Sequence, residues 1–176
     1  PLMIEKANSR ARMNNCKARF IQGNDLSMPF QDHDFDVVLA ESLAVFLLIK
    51  PLLSECWRIL KPGGLIVNLE FSSQFDTPHE VLEAADLLYG VKQFPTLDEW
   101  RDLYRSCGFR DIQHWNPREV DSQLFIENEL KYPDEEQLIS EGIFQDQELI
   151  QMIIQNMEFM EQYYKHLSFT GIIAKK

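Results

Sequence analysis

Two short segments place polar residues where apolar runs stop. Residues 18–25 read ARFIQGND and residues 35–42 read FDVVLAES. The first is short, β-prone and closed by Gly23, with Asn24, Asp25 and Leu26 following; the second is nearly continuous in apolar residues and ends in Ala40, Glu41 and Ser42. Both patterns predict buried strands of a parallel sheet. In such a sheet small molecules are held outside the carboxyl ends of adjacent strands, and these polar residues fall there. The Asn24 side-chain carbonyl or the Asp25 carboxylate can accept from an exocyclic amine, while main-chain N–H groups can meet a ring nitrogen. That pattern complements adenine. The same residues also suit a second role, with Asn24 and Asp25 capping a turn and Met28-Pro29-Phe30 plugging the core.

The elements that must carry these tips alternate along the chain. Residues 2–13 place Met3, Ile4, Ala7 and Ala11 at helical spacing, and Asn14-Asn15 stop them. Strands are predicted at 18–22 and 35–40. A helix over 51–60 follows from Leu52, Leu53, Cys56, Trp57 and Leu60, and Lys61-Pro62-Gly63-Gly64 ends it, one glycine taking the positive φ that a side chain resists. A buried run at 65–69 completes a strand–helix–strand crossover. Helices are predicted over 78–89 and 95–107, the latter with Thr96 as N-cap, Glu99 three residues on and Gly108 at its far end. A strand at 109–115 precedes an insertion of loops and short helix over 116–142, with the acidic cluster Asp134-Glu135-Glu136. Leu149, Ile150, Ile153, Ile154, Met157 and Met160 predict a helix over 146–164, read as a core helix with a dimer interface as the alternative. Residues 167–174 form a closing strand. The alternation makes one α/β domain over 1–176.

Composition bounds the partners. Seventeen Lys and Arg against 28 Asp and Glu give a net charge of −11 over 176 residues, which disfavours a grip on nucleic acid or an anionic membrane. Cys16, Cys56 and Cys107 form no CxxC or metal-ligand spacing, which fits a reducing cytoplasm. The apolar run at 43–49 is broken by Lys50-Pro51, far short of a membrane span. None of His33, His79, His114 and His166 stands out as a general base, so no catalytic residue and no metal ligand is assigned.

Three blocks taken together are more specific than any piece: GNDLSMPFQDHDFDVVLAESLAVF at 23–46, LLSECWRILKPGGLIVNLEF at 52–71 and PTLDEWRDLYRSCGF at 95–109. Their order and spacing resemble the Rossmann-like S-adenosylmethionine-dependent methyltransferases, in the small-molecule branch that includes the ubiquinone and menaquinone biosynthesis methyltransferases. The resemblance covers residues 3–109, with a closing strand near Gly171. It implies a three-layer Rossmann-like methyltransferase sheet, mostly parallel with an antiparallel C-terminal strand, and S-adenosylmethionine as cofactor. It puts Asn24 at a position the family fills with an acid, main-chain adenine contacts at Asp25 with Leu26 beside it, and Met3 at the adenine rim. Ala40 and Glu41 fall beside the methionine part, and Ser42 to Phe46, with Tyr89, on the acceptor side. Segments 72–95 and 116–144 take the place of the family's substrate lid.

The same resemblance implies a glycine-rich loop and a ribose-binding acid, and none of the seven glycines stands in a GxG pattern. The first two strands are therefore expected upstream of Pro1, and without them cofactor binding is expected to be weak or absent. The function implied is methyl transfer to a small-molecule acceptor. The alternatives are a non-catalytic binding or interaction protein that keeps the fold, which Asn24 favours, and an NAD-dependent oxidoreductase, which Lys61-Pro62-Gly63-Gly64 argues against.

Overall fold

The computed structural model describes residues 2–119, 142 and 145–176. Helix α1 (Leu2–Met13) carries Glu5 in its first turn and Arg10 and Arg12 in its last, charges that complement its dipole, and buries only Ala11. Strand β1 (Phe35–Glu41) leads through a short 3₁₀ turn (Ala44–Phe46) into α2 (Ile49–Ile59) and directly into β2 (Leu60–Ser73). Helices α3 (His79–Tyr89) and α4 (Leu97–Ser106), strand β3 (Arg110–Glu119), helix α5 (Gln147–Tyr163), a 3₁₀ turn (Tyr164–His166) and β4 (Leu167–Lys175) follow. The expected insertion lies almost wholly outside the described residues.

The sheet order is β1-β2-β4-β3. Strand β2 pairs parallel with β1 and antiparallel with β4, and β4 pairs antiparallel with β3, so only the C-terminal strand runs against the rest. Val37 to Glu41 lie opposite Leu65 to Leu69, which brings the carboxyl end of β1 level with the middle of β2. The Lys61-Pro62-Gly63-Gly64 turn sits inside β2 as an irregularity, between the pairs Phe35↔Leu60 and Val37↔Leu65, and not between helix and strand. Gly63 has φ +81°, and a Cβ on Gly64 would stand 2.9 Å from the Asp36 carbonyl oxygen, so both glycines are needed there.

One sheet face is closed. Ile66 and Ile172 pack with Leu52, Leu53 and Cys56 of α2 and Trp100 and Tyr104 of α4. The Thr96 hydroxyl accepts from the Glu99 N–H while Glu99 Oε2 accepts from the Thr96 N–H, the predicted capping box. On the other face, Val81, Ala85, Phe159 and Leu167 gather with Phe71 at one end. Val37 and Leu39, at the outer edge, stay 52% and 69% exposed.

Two expectations need correction. Residues 18–22 form no strand, and Phe20 and Ile21 are exposed. A strand needs a neighbour's N–H and C=O groups, and β1 pairs only with β2 among the described strands. Helix α5 has the predicted length but buries only Phe159, leaving Ile150, Ile153, Ile154 and Met157 as an exposed stripe.

Candidate functional site

The chain bends at the carboxyl tip of β1. Glu41 is exposed, and Ser42 adopts φ +49°, a left-handed conformation that costs a non-glycine residue about 1 kcal/mol or more. The Ser42 N–H donates to the Leu69 carbonyl at 2.9 Å. The next two N–H groups, of Leu43 and Ala44, both donate to Glu70 Oε1, at 2.7 and 2.6 Å. Beyond them the Val45 carbonyl accepts from the Lys92 and Gln93 N–H groups at 2.8 and 3.3 Å. The bend is thus held by β2 from within and by the α3–α4 connection from outside.

Glu70 is fully buried. Burial raises its carboxyl above the ordinary carboxylate range, and the N–H groups of Leu43, Ala44 and Val45 pull it back. It belongs to a polar row, Asn68, Glu70 and Ser72, on the closed sheet face, with Thr170 opposite Glu70 in register. Among the described residues, Glu70 Oε2 and the Ser72 and Thr170 hydroxyls have no hydrogen-bond partner.

The residues after the bend line an apolar cavity of about 160 Å³. Val45 and Phe46 form one wall, Phe71 and Leu167 the sheet side, and Ala85, Tyr89 and Phe159 the helical side. Tyr89 stacks edge-on against Phe159 at 5.2 Å, and its hydroxyl donates to Asn156 Oδ1 at 2.6 Å. Burial raises the Tyr89 phenol, so it stays protonated at neutral pH. That pair is the polar feature of a lining that, among the described residues, carries no charged side chain.

The structure treats the sequence-predicted residues differently. Ala40 and Glu41 share the β1 tip, and Phe46 and Tyr89 share the cavity. Asn24 caps its own turn, its Oδ1 accepting from the Leu26 N–H at 2.9 Å and its carbonyl from the Ser27 N–H at 3.0 Å. Asp25 is half-buried and Leu26 exposed. The downstream residues are fastened to α2, where Glu55 Oε1 accepts from the Met28 N–H and Arg58 donates to the Phe30 carbonyl and Asp32. Met3 stands exposed on α1. The Asn24–Leu26 turn is therefore not the strand tip expected from the sequence. Its Asn24 oxygen has one lone pair engaged and one available.

Of the histidines, His33 sets Nδ1 on the Leu60 carbonyl at 3.0 Å and His79 pairs with Glu83 on the surface. Glu70 is a site residue that sequence reasoning missed. The available signal was the period-2 polar row Asn68, Glu70, Ser72 inside an otherwise apolar run.

For a cofactor with a sulfonium, an ammonium group and an adenine, this chain offers a fitting donor set. Glu41 has an exposed carboxylate and the Asn24–Leu26 turn has an amide oxygen and a carboxylate, groups that would suit the positive charges and the adenine amine of such a cofactor.

Residues 1–68 match the family described as "Methyltransferase domain". The uncharacterized methyltransferase YodH of Bacillus subtilis (strain 168) is 29% identical over 113 residues, covering 64% of this chain and 48% of that protein. The mitochondrial 2-methoxy-6-polyprenyl-1,4-benzoquinol methylase of Bos taurus is 30% identical over 139 residues, covering 65% of this chain and 42% of that protein. The chain thus spans about half the length of the curated relatives it matches. The phosphoethanolamine N-methyltransferase 2 of Haemonchus contortus, solved in complex with S-adenosyl-L-methionine, matches with a TM-score of 0.71 at 17% identity, over 96% of this chain and 39% of that one. The likeness establishes the α/β fold expected from the sequence.

Proposed function

We propose that this chain, whose residues 1–68 match the methyltransferase-domain model, serves S-adenosylmethionine-dependent methyl transfer to a small, neutral, largely apolar acceptor. The observation that carries this reading is the apolar cavity that shares Val45 and Phe46 with the turn leaving the β1 tip. The cofactor, when bound, supplies a methyl group already electrophilic on its sulfonium. The protein's task is then to orient the acceptor and exclude water.

Glu41 accepts from the ammonium group and favours nearby positive charge. Ala40 gives the cofactor close access to the β1 backbone. Asn24, Asp25 and Leu26 hold the adenine side, with Met3 at its rim. Phe46 and Tyr89 contact the acceptor, and residues 72–95 cover it. The uncharged lining disfavours an ionic acceptor, since an unpaired charge there would lose its hydration without compensation. No catalytic base is assigned.

Three free cysteines and the absence of a helix long and apolar enough to cross a membrane among the described residues support a cytoplasmic setting in this reading. The Ile150, Ile153, Ile154 and Met157 stripe supports a homodimer.

The test is titration calorimetry with S-adenosylhomocysteine on the full-length protein and its Glu41→Ala variant. Saturable binding is expected, weakened about tenfold by Glu41→Ala, the worth of one hydrogen bond to a charged group. Absence of binding to the unsubstituted protein would overturn the reading.

A further inference from the structure

We infer that Glu70 is the positioning residue of this site: its buried carboxyl clamps the turn that presents Glu41 on one side and Val45 and Phe46 on the other. The inference rests on the methyl-transfer reading for what the turn presents, and on geometry alone for the clamp.

Three observations converge on this residue. First, Ser42 holds a left-handed φ of +49°, and such a conformation persists only where the surroundings over-determine it. The restraint is immediately adjacent, because the two N–H groups that follow both end on one oxygen of Glu70. Leu43 N–H and Ala44 N–H open the 3₁₀ turn and have no backbone acceptor of their own there, so the carboxyl fills the role an N-cap side chain fills at a helix start. It does so from a neighbouring strand, 26 and 27 residues away in sequence.

Second, Glu70 lies between two residues with complementary duties. The Leu69 carbonyl receives the Ser42 N–H, and Phe71 lines the cavity. Side chains alternate along a strand, so Glu70 points to the closed face while Phe71 points to the cavity. Glu70 therefore cannot touch an acceptor in the cavity, and it acts through the turn.

Third, the restraint is charge-independent. Both N–H groups use Oε1, while Oε2 has no partner among the described residues. A glutamine presents the same carbonyl oxygen in the same place and replaces the unpaired oxygen with an amide nitrogen. The clamp needs one acceptor atom at the right height above the sheet. Alanine removes it, and aspartate withdraws it by one methylene.

The experiment compares Glu70→Gln, Glu70→Ala and Glu70→Asp in the full-length protein by amide hydrogen exchange at Leu43 and Ala44 and by calorimetric titration with S-adenosylhomocysteine. Glu70→Gln is expected to keep both amides protected and to bind within about twofold of the unsubstituted protein. Glu70→Ala, or Glu70→Asp should the alanine variant not fold, is expected to lose at least roughly tenfold in protection at those two amides and about tenfold in affinity, as for the loss of a buried hydrogen-bonded pair. Unchanged exchange at Leu43 and Ala44 in these two variants overturns the clamp, whether or not the ligand binds. Lost protection with unchanged affinity overturns the positioning role. If the unsubstituted protein binds no S-adenosylhomocysteine, the methyl-transfer reading fails, and exchange still decides the clamp.

Discussion

Filling the cavity separates a binding site from an imperfectly packed core. Ala85, on α3, is buried and lines the space of about 160 Å³. At about 24 cal/mol per Å³, an unfilled void of that size costs on the order of 4 kcal/mol, which bounds what filling it can return. Ala85→Leu adds three carbons. At about 0.8 kcal/mol per buried carbon group the gain is at most roughly 2.4 kcal/mol, less any strain from a shape not built for leucine. Folding stability is therefore expected to stay level or rise by up to about 2 kcal/mol. A ligand in the cavity should lose the same contacts, and roughly 2.4 kcal/mol is about a 50-fold loss of affinity. Benzene is a suitable probe, because an apolar cavity of about 150 Å³ accommodates it. Its binding is followed by chemical-shift changes at Phe46 and Tyr89, with urea denaturation giving stability in parallel. Saturable binding that Ala85→Leu removes, in a protein at least as stable, is the expected result. Higher stability with unchanged benzene affinity would refute the reasoning.

Acid and alkali should act on the buried Glu70 and the half-buried Glu55 in opposite directions. Glu70 is raised by burial, so the stability it contributes is fully present below the ordinary carboxylate range and is lost as pH rises through its folded value. Glu70→Gln should flatten that slope in urea titrations between about pH 4 and 8, and an unchanged slope would assign it elsewhere. Glu55 is held low chiefly by its hydrogen bonds from Arg58, so its contribution is present above the ordinary range and is lost as pH falls through its folded value. Glu55→Gln should make the acid limb shallower, and an acid limb of unaltered steepness would contradict this. Thr96→Ala removes the N-cap of α4 and should cost about 1 kcal/mol, a fall in Tm of roughly 2–4 °C by calorimetry, whereas an unchanged Tm would show the cap idle.

Local rules were legible wherever a residue's partner is near in sequence. The Thr96–Glu99 box forms as its spacing demands, and the α2 positions Leu52, Leu53 and Cys56 all reach the core. Features that depend on distant partners were not legible. Residues 18–22 have strand-forming side chains, yet no described strand lies beside them to complete the hydrogen bonds. Strand β2 extends well past the apolar run because Asn68, Glu70, Ser72 and Ser73 are buried, against the usual preference of such residues for the surface. Glu70 has a use only once the turn after β1 is folded above it. In the site, Glu41 could be placed at a strand tip from its position alone. The meeting of Phe46 with Tyr89 depends on how α3 packs, and the family resemblance, not their spacing, pointed to it. Asn24 offered two readings, and the Asx-type turn it caps is compatible with both, since one lone pair of its oxygen stays available.

The most direct test of the whole account is a nitrogen–proton NMR titration of the full-length protein with S-adenosylhomocysteine. The account predicts saturable shifts concentrated at residues 24–26 and at Ala40, Glu41, Leu43 and Ala44, with the outer strand β3 left in place. Saturable binding whose shifts fall elsewhere, or no shift at millimolar ligand, would contradict it.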